Sequence, residues 1–172
     1  MKQLMAMLFF LSSLFAYDAT IEVSKDVENR TQVALFDDSG ASSAMAKKVH
    51  AMLVSDLQTT GNFLVEEGYK RYSNYDSSQC SGYDYFIVYS LDVGQRLELD
   101  LEIIKAGSGE TVSQKSFFIG SQTRYPFLSH SIISNINEFF GYDAVAWMNE
   151  YIIFSKYSGK GKADIYIADY TL

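Results

Sequence analysis

The chain has 172 residues, 48% of them hydrophobic, which is enough for one domain with a sizeable buried core. Its formal net charge of -7 argues against nucleic acid as a partner, because phosphate binding is driven by Lys and Arg. The single cysteine, Cys80, excludes an internal disulfide, and the two histidines have no ligand at metal-binding spacing, so we expect no structural zinc and no cofactor.

The amino terminus has the layout of a secretory signal peptide. Lys2 precedes an apolar run over residues 4–15, and Ala16 supplies a small residue at a plausible cleavage point. A buried amino-terminal helix is the less favoured alternative. The run is short for a bilayer, so we expect the mature chain to begin at Tyr17, in an extracytoplasmic space, with no membrane span.

Residues 17–30 alternate weakly between polar and apolar side chains and then turn polar. Thr20 and Glu22 alternate with Ile21 and Val23. Such a segment is either a mobile tail or an edge strand that awaits a partner, and the sequence leaves both open.

A strand, a turn and a helix are predicted next. Residues 32–36 form a short apolar strand, and residues 37–40 (Asp-Asp-Ser-Gly) form a turn that can also cap the following helix. This turn chemistry explains the acid pair better than a metal site or a general base. Residues 41–60 carry apolar side chains at helical spacing, with Gly61 as the stop.

The segment that follows is a brief strand and a long connection. Residues 63–65 are apolar, whereas residues 66–82 are polar and without a sustained period. The connection contains Tyr69, Tyr72 and Tyr75, which we interpret as surface tyrosines in preference to partner contacts.

Residues 83–119 predict three consecutive antiparallel strands. The first is an apolar run over residues 85–89, typical of a strand covered on most of its surface. Residues 96–104 alternate between leucine or isoleucine and acidic side chains, and a Gly-Ser-Gly turn leads into residues 111–119. One face of the sheet is therefore expected to be exposed to solvent, and the apolar face needs helices to cover it.

A second covering helix and a hairpin complete the chain. Tyr125 and Pro126 mark the start of a helix over residues 125–140, and Gly141 is its stop. An apolar stripe runs along the helix from Leu128 to Phe140; His130 lies off that stripe and is expected to be solvated. Residues 144–155 predict a strand, residues 158–162 a turn and residues 164–170 a second strand. A two-stranded hairpin alone is marginally stable, so this end of the chain looks incomplete.

The predicted fold class is therefore α/β. A two-layer domain is expected, in which a mixed β-sheet carries two helices on one face and is followed by a β-hairpin. The strand order is not readable from the sequence.

Six segments of the chain form a recognisable set: residues 33–36, 55–63, 82–88, 137–144, 152–155 and 165–170. The most specific is residues 137–144, Asn-Glu-Phe-Phe-Gly-Tyr-Asp-Ala, at the end of the second predicted helix. Together these segments resemble the TolB family of the periplasmic Tol-Pal system, in which a similar motif ends a helix. The family has a signal peptide, a short amino-terminal segment, a small α/β domain and a six-bladed β-propeller. The resemblance thus implies a signal peptide at 1–16, a partner-binding segment at 17–30, an α/β domain at 31–142 and the first strands of a truncated β-propeller at 143–172.

The resemblance implies a non-enzymatic periplasmic adaptor that couples the inner membrane to the outer membrane for envelope integrity and constriction during cell division. By position, the segment that binds the carboxy-terminal domain of TolA comprises Tyr17, Asp18, Ala19, Thr20, Ile21, Glu22 and Val23. Pal binding is expected only if a propeller is present. An alternating segment with unpaired backbone groups can add to the edge of a partner's sheet, which agrees with this role.

Two other functions remain as alternatives. One is another exported α/β binding module that regulates envelope synthesis or secretion assemblies. The other is an enzyme, ranked last because no Ser-His-Asp arrangement, activated cysteine or carboxylate pair stands out. Glu98, Asp100 and Glu102 share one strand face, and a solvated alternation accounts for them.

Overall fold

The sheet of this protein is mixed and has five strands in the order β2-β1-β3-β4-β5. The structure is a computed structural model that describes residues 30–40, 43–72 and 82–171. The strands of the sheet are β1 (Thr31–Asp37), β2 (Phe63–Val65), β3 (Tyr85–Val93), β4 (Leu97–Lys105) and β5 (Glu110–Ile119). Strand β1 runs parallel to both β2 and β3, whereas β3, β4 and β5 are antiparallel.

Strand β3 lies at the centre of the sheet, as its apolar run predicts. Its residues Phe86, Ile87, Val88 and Tyr89 are all buried, since side chains on both faces are covered. The turn to β4 is shorter than predicted, because Asp92 and Val93 still pair with Glu98 and Leu97. The three predicted antiparallel strands are confirmed.

Two helices cover one face of the sheet. Helix α1 (Ala44–Thr60) begins three residues later than predicted, because the Ser43 side chain accepts a hydrogen bond from the backbone N–H of Ala46 at 3.0 Å. It ends at Gly61, whose φ of 66° is the left-handed conformation that glycine adopts readily. Helix α2 (Tyr125–Phe139) follows a short 3-10 helix, Gln122–Arg124, and has Pro126 in its first turn.

The main core lies between these helices and the sheet. It combines sheet residues such as Leu35, Ile87 and Leu99 with helix residues such as Leu53 and Ile132, all almost fully buried. A smaller apolar cluster occupies the opposite sheet face. The predicted two-layer α/β arrangement with both helices on one face is confirmed.

The carboxy-terminal region differs from its prediction. Residues 144–155 were expected as a strand, but Ala146–Asn149 form a 3-10 helix and strand β6 (Ile152–Gly159) begins only afterwards. The reason is burial: Val145 and Met148, three residues apart, both enter the main core, which a straight strand could not achieve. Strand β7 (Lys162–Ala168) pairs antiparallel with β6 and completes the predicted hairpin.

Candidate interaction surfaces and the joint between them

The segment predicted to bind a partner, Tyr17 to Val23, lies outside the described residues. The described chain enters the sheet at β1, where the Thr31 hydroxyl lies 2.5 Å from the Tyr142 hydroxyl. Tyr142 also packs edge-on against Phe63, with ring centroids 5.4 Å apart. The start of β1 is therefore held by a hydroxyl contact with Tyr142, whose ring packs in turn against β2.

The β6–β7 hairpin exposes apolar side chains on both faces. Ile153 and Ile165 are 67% and 77% exposed on one face, whereas Phe154 and Tyr166, stacked at 5.6 Å on the other, are 40% and 43% exposed. The hairpin surface is a candidate interaction site, because soluble domains seldom leave such side chains in contiguous patches. The hairpin is accordingly the most exposed apolar feature in the described part of the chain.

A buried polar cluster joins the hairpin to the two helices. The Nδ1 atom of His130 on α2 lies 2.8 Å from Oδ2 of Asp56 on α1, and its Nε2 atom lies 3.5 Å from Oδ2 of Asp169, just after β7. Tyr170 donates a hydrogen bond from its hydroxyl to the second oxygen of Asp56. We call these four residues the His130 cluster. It connects three elements that are far apart in the chain.

The electrostatics of the His130 cluster follow from burial and from its hydrogen bonds. Burial favours the neutral carboxyl of Asp169, but hydrogen bonds from Thr171 and the charge of His130 outweigh it and hold the pKa of Asp169 below its usual value. Burial, together with the hydrogen bond to Asp56, raises the pKa of Tyr170. Asp169 is therefore ionised, and Tyr170 is neutral, over the physiological pH range.

His130 is thus a correction to the sequence analysis. It was expected to be solvated because it lies off the apolar stripe, yet its side chain has no exposed surface. The residues after β7 cover that side of α2, and Asp56 supplies a partner from α1. No local pattern reveals this, since the partners lie 74 and 39 residues away in the chain.

Aromatic contacts reinforce the same joint. The Trp147 ring packs edge-on against Tyr170, with ring centroids 5.1 Å apart. Nearby, Phe127 of α2 lies 4.7 Å from Tyr151, whose hydroxyl accepts a hydrogen bond from Arg124. The residues that flank the hairpin therefore meet the helices and one another through both polar and aromatic contacts.

A second polar cluster joins residues 68–69, which follow β2, to the end of β1 and to α1. Asp37, fully buried, accepts a hydrogen bond from the Ser39 backbone at 2.7 Å and another from the Tyr69 hydroxyl. His50 of α1 contacts the Tyr89 hydroxyl at 3.2 Å and the Gly68 carbonyl at 3.0 Å. Asp37 is thus the last residue of β1, and its carboxylate holds the backbone of the turn that follows. The predicted capping of α1 by residues 37–40 is wrong, because Ser43 caps that helix.

Burial decides the protonation of this second cluster. It lowers the pKa of His50, although the Gly68 carbonyl and the charge of Asp37 act in the opposite direction. Burial also raises the pKa of Tyr89. A neutral histidine and a neutral tyrosine are the expected forms at neutral pH, as in a structural contact.

The acidic side chains of β4 contact polar side chains of β5 or of the preceding turn on the open face of the sheet. Asp100 accepts a hydrogen bond from Ser116 at 2.5 Å, Glu102 accepts one from Gln114 at 3.1 Å, and Glu98 pairs with Arg96. These partners agree with a solvated strand face. Within the described ranges, no group of three His, Cys, Asp or Glu side chains could hold a metal ion.

Comparison with known proteins identifies the relatives of this chain. Tol-Pal system protein TolB of Wolinella succinogenes is 32% identical over 171 residues, which cover 94% of this chain and 40% of the relative. This chain is a homologue of TolB. The protein of the same name from Campylobacter jejuni serotype O:2 is 31% identical over 175 residues, which cover the whole chain and 40% of the relative. No family model matches the sequence.

A solved structure shows the same fold. The crystal structure of TolB from Acinetobacter baumannii aligns with a TM-score of 0.57 at 12% identity, covering 82% of this chain and 36% of that one. The predicted resemblance to the TolB family is confirmed by these comparisons. The chain spans about 40% of the length of the curated TolB relatives that it matches.

Of the three tyrosines singled out in the connection before β3, the structure describes two. Tyr69 and Tyr72 are half-buried: Tyr69 bonds to Asp37, and the Tyr72 ring lies 5.9 Å from Phe36. Tyr75 and Cys80 lie outside the described residues. Across the described residues, every helix is too short or too polar to cross a membrane.

Proposed function

We propose that this chain is a non-enzymatic periplasmic adaptor of the Tol-Pal system. The observation that carries the proposal is the similarity to Tol-Pal system protein TolB over 94 to 100% of the chain in several relatives. In this proposal residues 1–16 direct export, residues 17–30 bind the carboxy-terminal domain of TolA, and residues 31–142 form the α/β domain that presents this segment.

The hairpin has a separate role in the proposal. We propose that residues 143–172 supply the first strands of a β-propeller, which would bind Pal when the propeller is present. The exposed apolar side chains on both hairpin faces support this, because a propeller blade would cover them. Through both partners, the protein would couple inner and outer membranes and support envelope integrity and constriction during division.

Binding to TolA is the direct test. The purified mature chain is titrated with the carboxy-terminal domain of TolA by calorimetry, beside a variant that lacks residues 17–23. We expect the wild type to bind and the deletion to abolish binding, because a strand added to a partner's sheet contributes its own backbone hydrogen bonds.

A matched control distinguishes loss of the binding segment from loss of the folded domain. A variant that keeps residues 17–23 in scrambled order retains length and charge but loses the alternation. Circular dichroism and urea unfolding of all three proteins should agree, because these changes lie before β1. Binding that is unchanged by the deletion would refute the assignment of the segment, and absence of binding by the wild type would refute TolA as the partner.

Localisation is tested in the native cell. The periplasmic fraction is probed for this chain, and the mass of the detected species is measured. We expect a species that lacks residues 1–16. A mass well above the 19.4 kDa of the given chain would indicate a longer product and favour the full adaptor role with Pal.

A further inference from the structure

Strand β5 forms a long edge of the five-stranded sheet. It has ten residues and pairs with β4 on one side, and among the described residues no strand pairs with its other side. The opposite edge, β2, has only three residues. In an antiparallel pair, alternate residues turn their N–H and C=O groups away from the partner strand. The outer side of β5 therefore presents a row of backbone groups with which a further strand can pair.

This edge has few of the features that protect an edge strand from pairing. Protected edges are short, contain proline or several lysines, or bend at a bulge. Strand β5 has no proline and one lysine, Lys115, and its register shift lies near its start, opposite Ile103 and Ile104. From Ser113 to Ile119 the pairing with β4 is regular. A partner strand can be added along that length.

A cleft of about 500 Å³ lies beside this edge on the helix side of the sheet. Its walls come from β5, from α2 and from the segment after α2, and Phe117 and Val145 contribute apolar surface. Its two charged lining residues, Lys115 on β5 and Glu138 on α2, have opposite signs. The cleft therefore has no net charge, and it can accommodate apolar side chains of an added strand.

The open face of the sheet beside the same edge is acidic. Asp100 and Glu102 of β4 accept hydrogen bonds from Ser116 and Gln114 of β5, at 2.5 and 3.1 Å. Neither carboxylate forms an ion pair with a described Lys or Arg. Because the hydrogen bonds hold both carboxylates against β5, long cationic side chains on a strand beyond β5 can reach them.

We propose that the outer edge of β5 binds an extended segment of a partner protein in which apolar residues alternate with lysine or arginine. Successive side chains of a strand point to opposite faces, so the apolar ones lie over the cleft and the basic ones lie toward Asp100 and Glu102. A second copy of this chain fits less well, because it has a net charge of -7 and brings the same acids to the edge. The site belongs to the α/β domain and uses no residue of the segment to which TolA binding is assigned.

A labelled peptide in which lysine and valine alternate is the probe. It is titrated with the intact chain at low and high salt, and binding is followed by fluorescence anisotropy. One control peptide has glutamate in place of lysine, and another has every backbone amide methylated, which keeps the charge but removes the backbone donors. We expect the lysine peptide to bind, more weakly at high salt, and both controls to fail. Absence of binding by the lysine peptide, or equal binding of its methylated form, would overturn the proposal.

A double variant tests the acidic face. Asp100→Asn with Glu102→Gln removes two charges but keeps the oxygens that accept hydrogen bonds from β5. We expect the affinity for the lysine peptide to fall about threefold for each charge removed. Glu67→Gln is the matched control, because Glu67 is exposed, follows the other edge strand and contacts Gln58. It should leave the affinity unchanged, and a loss per charge as large as that of the double variant would show that only net charge matters.

Hydrogen exchange identifies what occupies the edge. The outward amides of residues 113–119 should exchange rapidly in the free monomer and become protected in the presence of the lysine peptide, while those of β3 stay unchanged. Protection in a free chain that sediments as a dimer would indicate a second copy. Protection in a free monomer that is lost when residues 17–29 are removed would indicate the amino-terminal segment. Either result would refute the proposal.

Discussion

The Nδ1 atom of His50 lies 3.2 Å from the hydroxyl oxygen of Tyr89, although 39 residues separate them in the chain. This contact connects α1 with the central strand of the sheet, and the Gly68 carbonyl holds the other ring nitrogen at 3.0 Å. Both hydrogen bonds are compatible with a neutral imidazole. The contacts of His50 therefore make the stability of the fold depend on pH.

The wild type should lose stability on acidification relative to His50→Gln. Burial lowers the pKa of His50 in the folded state, whereas the unfolded chain takes up this proton near pH 6.5. The contribution of a neutral His50 is complete above pH 6.5 and is lost as the pH falls from there toward the folded-state pKa. Urea unfolding of both proteins at pH 7.5 and pH 5 measures the difference, and the effect of His130 cancels because both retain it. An identical pH dependence of the two proteins would contradict the prediction.

Truncation of Ile132 should be costly, whereas the same truncation of Ile165 should not. Ile132 is fully buried between α2 and the sheet, and Ile165 on the hairpin is 77% exposed. Ile132→Ala should lower the free energy of unfolding by about 2–5 kcal/mol through lost transfer energy and a residual cavity. Ile165→Ala should change it by about 0.5 kcal/mol or less. Urea unfolding tests both, and equal losses would show that the hairpin is packed as tightly as the core.

Much of the α/β domain could be predicted because its signals are local. The alternation of Leu97, Leu99 and Leu101 with acids predicts a half-covered strand, and Gly61 predicts the end of α1. The parallel pairing of β1 with β2 and β3 was not readable, because it joins segments that are far apart in the chain. Strand order depends on such contacts and not on local period.

The errors have a common physical cause. The region around Met148 is rich in aromatic and apolar residues and therefore predicts a strand, but tertiary packing bends it into a 3-10 helix that buries Met148. His130 was missed for the same reason, because its partner Asp56 comes from the other helix and Asp169 from beyond the hairpin. The candidate joint is made of contacts between segments, which a pattern within one segment does not reveal.

Replacement of Gly61 by alanine should destabilise α1 at its carboxy end. Gly61 has a φ of 66°, and its backbone N–H bonds to the carbonyl of Gln58 at 3.0 Å. A Cβ atom in this left-handed conformation costs about 1–2 kcal/mol. Gly107→Ala is the matched control, because Gly107 has open space around it and no positive φ. Thermal unfolding should show a lower midpoint for Gly61→Ala alone, and a comparable loss in Gly107→Ala would contradict the conformational explanation.

Two carboxy-terminal truncations separate the hairpin from the core. A chain that ends at residue 150 lacks β6 and β7 but keeps Met148, fully buried, and Val145, whereas a chain that ends at residue 141 lacks all of them. The shorter chain should therefore be less stable than the longer one by about 2–5 kcal/mol, the cost of emptying a core position of this size. Both lack the His130 cluster contacts from Asp169 and Tyr170, so that loss cancels in the comparison. Urea unfolding of the two truncated chains measures the difference, and equal stability would show that residues 142–150 contribute nothing to the core.

The chain that ends at residue 150 also tests the part of the hairpin in binding. If this chain still binds the TolA domain, the α/β domain and its amino-terminal segment are sufficient for that interaction. If only the full chain binds it, the hairpin takes part.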